Sequence, residues 1–317
     1  MINQAFFRLP GQQDILFIEQ DVKGSDKFVI RPFQPSLAPE YIVGDIQSID
    51  LKSCEKLISS WRYSIADEVN IVDYESVIRL AVESIQKGEF VKVVPARQKL
   101  LASDVGVFTL FGRLLQHYKE AFVYVFNLNG KIMIGASPET LMRKNAKGII
   151  TEALGGTRTH GRYSEKESDE HKHIVDYISG ELKLQGYKFE QLETQSRKAG
   201  PVEHLSTGFK LESRGLENDQ TLPELLHPTP AVCGLPFEPA FDFIKKYEGF
   251  DRAFYSGYIG PMYKNGNFEL FVNLRCAEVF EGYYKLFAGA GINALSKPDD
   301  EFNETENKMQ TIAQWLK

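Results

Sequence analysis

The sequence predicts an α+β fold, in which helices are interspersed with antiparallel strands. Hairpin signals separate short runs of aromatic and β-branched residues, as in the Asn-Leu-Asn-Gly stretch at 127–130. Two other stretches place apolar residues at helical spacing between a capping residue and a glycine. No linker rich in Pro, Gly or Ser divides the 317 residues, so we expect a single domain over 1–317.

Four helices are expected from periodicity and capping. Asp73 caps the first helix and Gly88 ends it. Ser164 and Glu167 form a capping box for the third helix, which Gly186 ends. The four helices cover about residues 73–88, 105–118, 164–186 and 299–316.

Strands are expected where apolar and β-branched residues cluster between turns. They cover about residues 90–94, 122–127, 131–136, 141–143, 149–154, 253–260, 268–279 and 283–289. The last three form an antiparallel meander with turns at Lys264-Asn265-Gly266 and Glu281-Gly282. Residues 1–70 show no clear pattern.

The composition excludes several classes of function. The net charge of −6 does not favour a nucleic-acid-binding protein. Three widely spaced cysteines indicate reduced thiols rather than a disulfide framework or a zinc site. No run of eighteen apolar residues predicts a membrane span. We therefore expect a cytoplasmic protein.

Carboxylates occur on the predicted inward faces of two helices. Glu170 precedes Ile174 by one helical turn, and Glu301, Glu304 and Lys308 share one stripe of the last helix. Such carboxylates must be paired, protonated or bound to a metal, and two of them could hold one Mg²⁺. The pattern alone favours solvated faces with ordinary ion pairs.

Other single residues have two interpretations each. Lys92 lies between valines and, by strand alternation, could simply face solvent. Glu139 follows a strand and could be an ordinary turn residue, and His204 could be structural. The glycines of the Gly155-Gly156-Thr157-Arg158 turn would let backbone N–H groups approach an anion.

A set of short motifs is spread over about residues 75–316. They are Lys92-Val93-Val94-Pro95-Ala96-Arg97, Ser137-Pro138-Glu139, Gly155-Gly156-Thr157-Arg158, Glu170-His171, His227-Pro228-Thr229-Pro230-Ala231, Leu274-Arg275, Gly289-Ala290-Gly291 and Glu301-Phe302-Asn303-Glu304. Together these motifs resemble the chorismate-binding enzymes, which include isochorismate synthase, salicylate synthase, anthranilate synthase component I and aminodeoxychorismate synthase. The His-Pro-Thr-Pro-Ala form is similar to the isochorismate branch. Relative to that family, residues 1–70 are a shortened, weakly matched part.

The resemblance implies two large, mostly antiparallel sheets packed as a sandwich, with helices outside. It also implies that Lys92 activates water and that Glu139 donates a proton. Mg²⁺ would be held by Glu170 and Glu304, together with Glu301. The residues expected to bind substrate are Gly156, Thr157, His204, Ala231, Arg275, Gly289 and Lys308.

These implications predict a magnesium-dependent isochorismate synthase whose small-molecule substrate is chorismate. Ala231 stands where the ammonia-using relatives carry a hydroxyl side chain, so no glutaminase partner is expected. A salicylate synthase and a non-catalytic chorismate-binding relative remain as alternatives. The pathway, menaquinone or siderophore biosynthesis, stays open.

Overall fold

The computed structural model describes residues 3–65, 72–158, 163, 165–199 and 202–317, and within them the chain forms nineteen strands and seven helices. The strands are β1 (Gln4–Arg8), β2 (Ile15–Glu19), β3 (Asp26–Arg31), β4 (Glu40–Gly44), β5 (Gln47–Ile49), β6 (Lys92–Val93), β7 (Ala96–Ala102), β8 (Phe122–Leu128), β9 (Lys131–Ser137), β10 (Thr140–Asn145), β11 (Gly148–Arg158), β12 (Phe189–Gln191), β13 (Gln195–Ala199), β14 (Val202–Leu211), β15 (Gly234–Leu235), β16 (Tyr258–Met262), β17 (Phe268–Val272), β18 (Cys276–Phe280) and β19 (Tyr283–Gly289). The helices are α1 (Leu51–Ile58), α2 (Tyr74–Gln86), α3 (Val107–His117), α4 (Glu165–Leu184), α5 (Leu216–Leu226), α6 (Phe237–Tyr247) and α7 (Pro298–Ala313).

Two large antiparallel sheets form the body of the protein. The eight-stranded sheet has the order β5-β2-β1-β8-β9-β18-β19-β7. The nine-stranded sheet has the order β12-β14-β11-β10-β17-β16-β3-β4, and β13 pairs with β14 at one side. The third sheet is small and contains only β15 and β6.

Strand alternation explains how the sheets pack. Every residue of β8 is buried because both faces of the strand are covered. Phe122 and Phe126 point into the core between the two sheets, whereas Val123 and Val125 point towards α1, α3 and α7. Phe122 stacks on Phe271 of the opposite sheet, with ring centroids 4.2 Å apart. Such an aromatic core contributes both buried area and ring-stacking energy.

Helices cover the outer faces of both sheets, which confirms the expected sandwich. Ile174, Ile178 and Leu182 of α4 are buried against the nine-stranded sheet, as their spacing predicted. The hairpin prediction at 127–130 is also confirmed, because Asn129 and Gly130 adopt the positive φ angles, 53° and 85°, that a tight β8–β9 turn requires.

Residues 1–70 contribute strands to both large sheets. β1 lies between β2 and β8 in the eight-stranded sheet, and β3 pairs with β16 in the nine-stranded sheet. These strands join the two large sheets through long-range pairs, β1 with β8 and β3 with β16, which the local sequence does not encode.

Three sequence predictions were wrong in detail. The expected strand over 268–279 is two strands in different sheets, β17 and β18, because the chain turns a corner where Arg275 has φ 51°. The expected strand at 90–94 is reduced to the two residues of β6, and the one at 253–260 begins only at Tyr258, after positive φ angles at Ala253 and Ser256.

Three further sequence predictions concern the helix caps, the cysteines and membrane spans. The Asp73 carboxylate accepts the N–H of Ser76 and caps α2, as predicted, whereas Ser164 lies outside the described residues. The thiols of Cys54, Cys233 and Cys276 are free and buried. In the described part of the chain, none of the helices combines the length and the apolar character that crossing a bilayer requires.

Candidate active site

One cavity of about 160 Å³ collects most of the predicted site residues. Its wall is built from the ends of strands in both large sheets and from one face each of α4 and α7. The predicted residues that line it are Glu139, Glu170, His204, Ala231, Arg275, Gly289, Glu304 and Lys308.

Lys92 lies directly behind this wall. Its side chain is 4% exposed, and its Nζ is 2.7 Å from Oε1 of Glu170. The alternative in which Lys92 faces solvent is therefore excluded. Gly291 makes room for the pair, because a Cβ there would lie 2.9 Å from Glu170 Oε1 and 3.1 Å from Lys92 Cε.

Glu139 follows β9 and enters the cavity partly buried. Burial and, second, the negative charge of Glu152 raise the pKa of the Glu139 carboxyl to about 7, although Lys92 and Lys308 oppose the shift. A carboxyl group with this pKa is about half protonated at pH 7, so it can donate a proton near neutral pH.

The α7 side of the cavity carries alternating charges. Lys308 Nζ is 2.6 Å from Oε1 of Glu304, one turn earlier on the helix, and donates a hydrogen bond to the carbonyl of Gly289 at 2.8 Å. Arg97 and Lys99 of β7 both contact the carboxylate of Glu306 on the same helix. The two ion pairs of Glu306 and the hydrogen bond to Gly289 hold α7 against the eight-stranded sheet.

Arg275 and His204 complete the polar wall. Nη1 of Arg275 donates to the carbonyl of Lys308 at 3.3 Å and to Oγ1 of Thr311 at 3.2 Å. Burial lowers the pKa of the arginine, yet an arginine stays charged in proteins. Burial and the charge of Arg275 lower the pKa of His204 to about 4, so its imidazole is neutral at pH 7.

The donor set of the cavity fits a hard divalent cation. The carboxylates of Glu170 and Glu304 both line the cavity, and each has a lysine ammonium as its partner. Among the described residues no three His, Cys, Asp or Glu side chains already converge as metal ligands. An ion here would thus be held by one or two carboxylates with water and substrate oxygens, which is the usual pattern for Mg²⁺.

Besides Lys92, three predicted residues lie outside the cavity wall. Glu301 belongs to the buried face of α7 and is only 2% exposed. Gly156 has φ 65°, and a Cβ on it would lie 2.4 Å from the carbonyl oxygen of Glu167, so this glycine lets β11 approach α4 closely. The backbone of Thr157 pairs with His204, while its side chain lies outside the described residues. Their assigned roles stay predictions.

Several lining residues were not predicted. Glu167 lies one turn before Glu170, and this i, i+3 spacing was the available signal. Tyr255 and Ser256 belong to the turn before β16 that the sequence suggested was a strand. Val94, Val232 and Phe287 carry no chemical signature, and only the fold brings them together.

Comparison with known proteins covers most of the chain. Residues 40–317 match the family model of the chorismate binding enzyme. Isochorismate synthase DhbC of Bacillus subtilis is 31% identical over 264 residues, which span 76% of this chain and 66% of that protein. Isochorismate synthase EntC of Escherichia coli is 30% identical over 307 residues, which span 89% of this chain and 78% of that protein.

Solved structures agree with the fold. The structure of DhbC from Bacillus anthracis superposes with a TM-score of 0.83 at 27% identity, over 99% of this chain and 96% of the other. Anthranilate synthase component I of Streptococcus pneumoniae superposes with a TM-score of 0.65 at 18% identity, over 95% of this chain and 72% of the other, which supports the fold alone. The extent of the family match and the identity to EntC, together with the ordered motifs around one cavity, show that this chain belongs to the chorismate-binding enzyme family.

Proposed function

We propose that this protein is an isochorismate synthase, which converts chorismate to isochorismate. The observation that carries the proposal is a cavity lined by Glu139, whose pKa is about 7, and by Glu170, whose carboxylate contacts the buried Lys92 directly behind the wall. The same cavity presents the cationic groups of Arg275 and Lys308. A base, an acid and binding groups for carboxylates are what the reaction requires of the protein.

In the proposed reaction, water attacks ring carbon C2 of chorismate, and Lys92 accepts the proton of that water. The ring double bonds shift, and the hydroxyl group on C4 leaves with a proton from Glu139. Nζ of Lys92 is 2.7 Å from Oε1 of Glu170, so this contact fixes the position of the proposed base.

Binding of the substrate uses the opposite part of the cavity. Arg275 can hold a carboxylate through two parallel N–H groups, and Lys308 adds a point charge nearby. His204, neutral at pH 7, supplies a hydrogen bond rather than a charge. Because Arg275 and Lys308 are fixed by contacts with α7 and with Gly289, the cationic wall exists before the substrate arrives.

Mg²⁺ is the metal that the carboxylates of Glu170 and Glu304 fit best, with Glu301 in support. When bound, it would neutralise and orient a carboxylate of the substrate. Lys92 contacts Glu170 and Lys308 contacts Glu304. A bound cation would take the place of the lysine's positive charge beside each glutamate.

Water rather than ammonia is the proposed nucleophile. Ala231 lines the cavity with a methyl group, which cannot hydrogen-bond to ammonia. The pocket therefore offers no polar group at this position to favour ammonia over the far more abundant water.

The test is incubation with chorismate and Mg²⁺, followed by chromatography of the products. We expect isochorismate as the main product, with no aminated product when ammonium is added. The Glu139→Gln variant serves as the control for the active site. Accumulation of salicylate and pyruvate in step with the loss of chorismate would instead identify a salicylate synthase, and absence of turnover would identify a binding protein.

A further inference from the structure

The segments that carry Lys92 and Ala231 are short and are paired over only a few residues. β6 contains two residues and pairs with β15 through Val93–Gly234 and Lys92–Leu235. A strand this short does not by itself fix the position of a side chain. The backbone N–H groups of Val91 and Val94 also donate to the carbonyl oxygens of Leu235 and Cys233, and a side-chain contact adds to these links.

Arg252 makes that contact from behind the cavity. Its Nη1 donates to the carbonyl oxygen of Val232 at 2.8 Å, and its Nη2 donates to the carbonyl oxygen of Val94 at 2.6 Å. Both valines line the cavity, one directly after Ala231 and the other two residues after Lys92. One planar guanidinium group thus spans both segments, which a lysine ammonium could not do with the same geometry.

Glu248 completes the arrangement. Its carboxylate accepts the Nε–H group of Arg252, and Oε1 also accepts the backbone N–H of Ala96 at 2.7 Å. The side chains of Arg252 and Glu248 are each 2% exposed, and the guanidinium lies 4.2 Å from the ring of Phe33. Three backbone groups beside the site therefore depend on one buried ion pair.

A buried ion pair is not, by itself, evidence of stability. The cost of removing two charges from water offsets most of their attraction, and an apolar pair of similar volume can be equally stable. What an apolar pair cannot supply is directed hydrogen bonds to two carbonyl groups.

We propose that Arg252 and Glu248 are positioning residues of the active site, which set the distance between Lys92 and the wall formed by Ala231 and Val232. The catalytic consequence rests on the proposed function, whereas the geometric one does not. Displacement of a reacting group by about 1 Å can cost two orders of magnitude in rate, so the loss of this bridge should reduce kcat.

The central variant is Arg252→Lys. It keeps the positive charge and the partner Glu248, but it loses the planar guanidinium group that donates to both carbonyl oxygens. The Glu248→Gln/Arg252→Met double variant removes both charges and serves if the single variant does not fold. The matched control is Lys144→Met, since Lys144 forms another buried ion pair, 2.6 Å from Asp219, and neither residue lines the cavity.

Two measurements distinguish a role of Arg252 in positioning the two segments from a role in the stability of the whole fold. For Arg252→Lys we expect kcat to fall at least about tenfold while KM changes less than about threefold, because Arg275 and Lys308 still bind the substrate. We also expect amide hydrogen exchange to accelerate in residues 90–96 and 229–236 and not across the whole chain. For Lys144→Met, kcat should equal that of the wild type.

A variant that exchanges like the wild type in both segments and keeps its kcat would overturn the proposal. So would uniformly faster exchange with unchanged kcat, because that result describes a purely structural ion pair. If the wild type itself makes no isochorismate, the proposed function fails, and hydrogen exchange alone then decides whether Arg252 holds the two segments.

Discussion

The protonation of Glu139 should control the alkaline side of the pH profile. Burial and the charge of Glu152 raise the pKa of this carboxyl to about 7. A general acid works only while protonated, so activity should be lost as pH rises through that value. With a pKa of 7 the protonated fraction is about 90% at pH 6 and about 10% at pH 8, so we expect kcat/KM to fall roughly tenfold over that range.

Two measurements test this prediction: an NMR titration of the carboxyl group and a pH profile of the reaction rate. Carboxyl ¹³C NMR of the metal-free protein should show one carboxyl that titrates near pH 7 and that is missing in Glu139→Gln. The pH profile is measured as kcat/KM because this parameter reports the free enzyme. In Glu139→Gln the fall of kcat/KM at alkaline pH (the alkaline limb) should disappear, and kcat should be lower by at least about 10²-fold. A bound divalent cation would move the limb to lower pH without changing its sign.

A second partly buried glutamate, Glu269, provides the control. Burial also raises the pKa of Glu269, which contacts Arg143 at 3.2 Å and does not line the cavity. Glu269→Gln should therefore keep both the alkaline limb and the wild-type kcat. A Glu139→Gln variant that retains the limb would refute the assignment of Glu139 as the acid.

Four further predictions test other parts of the site and the core. Lys92→Ala should lower kcat by at least about 10²-fold in steady-state assays, and near-normal turnover would reject Lys92 as the base. Chelation should abolish activity and Mg²⁺ should restore it, while Glu304→Gln should weaken Mg²⁺ binding in calorimetry with an unchanged circular dichroism spectrum; full activity in excess chelator would contradict the metal role. Gly291→Ala should lower kcat/KM about tenfold with little change in Tm, because its Cβ would press on the Glu170 carboxylate, and an unchanged rate would show that the pair can shift freely. Phe271→Ala should cost about 3–5 kcal/mol of unfolding free energy in denaturant titrations, and a loss below about 1 kcal/mol would mean that the stacked core is dispensable.

Turn residues and helical spacing in the sequence correctly predicted the β8–β9 hairpin and the buried face of α4. The Asn129-Gly130 turn needs two positive φ angles, and the sequence offers the two residue types that tolerate them best. The apolar stripe of Ile174 and Ile178 predicted the buried face of α4, and so placed Glu170 on the side where the cavity lies.

Non-local features could not be predicted in this way. Strand alternation could not orient Lys92, because β6 is two residues long and buried on both sides. The bridge from Arg252 to Val94 joins residues 158 positions apart, and no local pattern encodes that pairing. The roles of Lys92 and Glu139 came from the family resemblance, and the structure adds their burial and their partners.

The attack of water on the chorismate ring is the central claim, and oxygen isotope labelling tests it most directly. The enzyme, with Mg²⁺ and chorismate, would be incubated in H₂¹⁸O and the product analysed by mass spectrometry. We predict isochorismate that carries one heavy oxygen, located in the hydroxyl group on C2, and no labelled product from Lys92→Ala. Isochorismate without heavy oxygen would contradict the account, because the C2 hydroxyl would then derive from the substrate itself rather than from solvent.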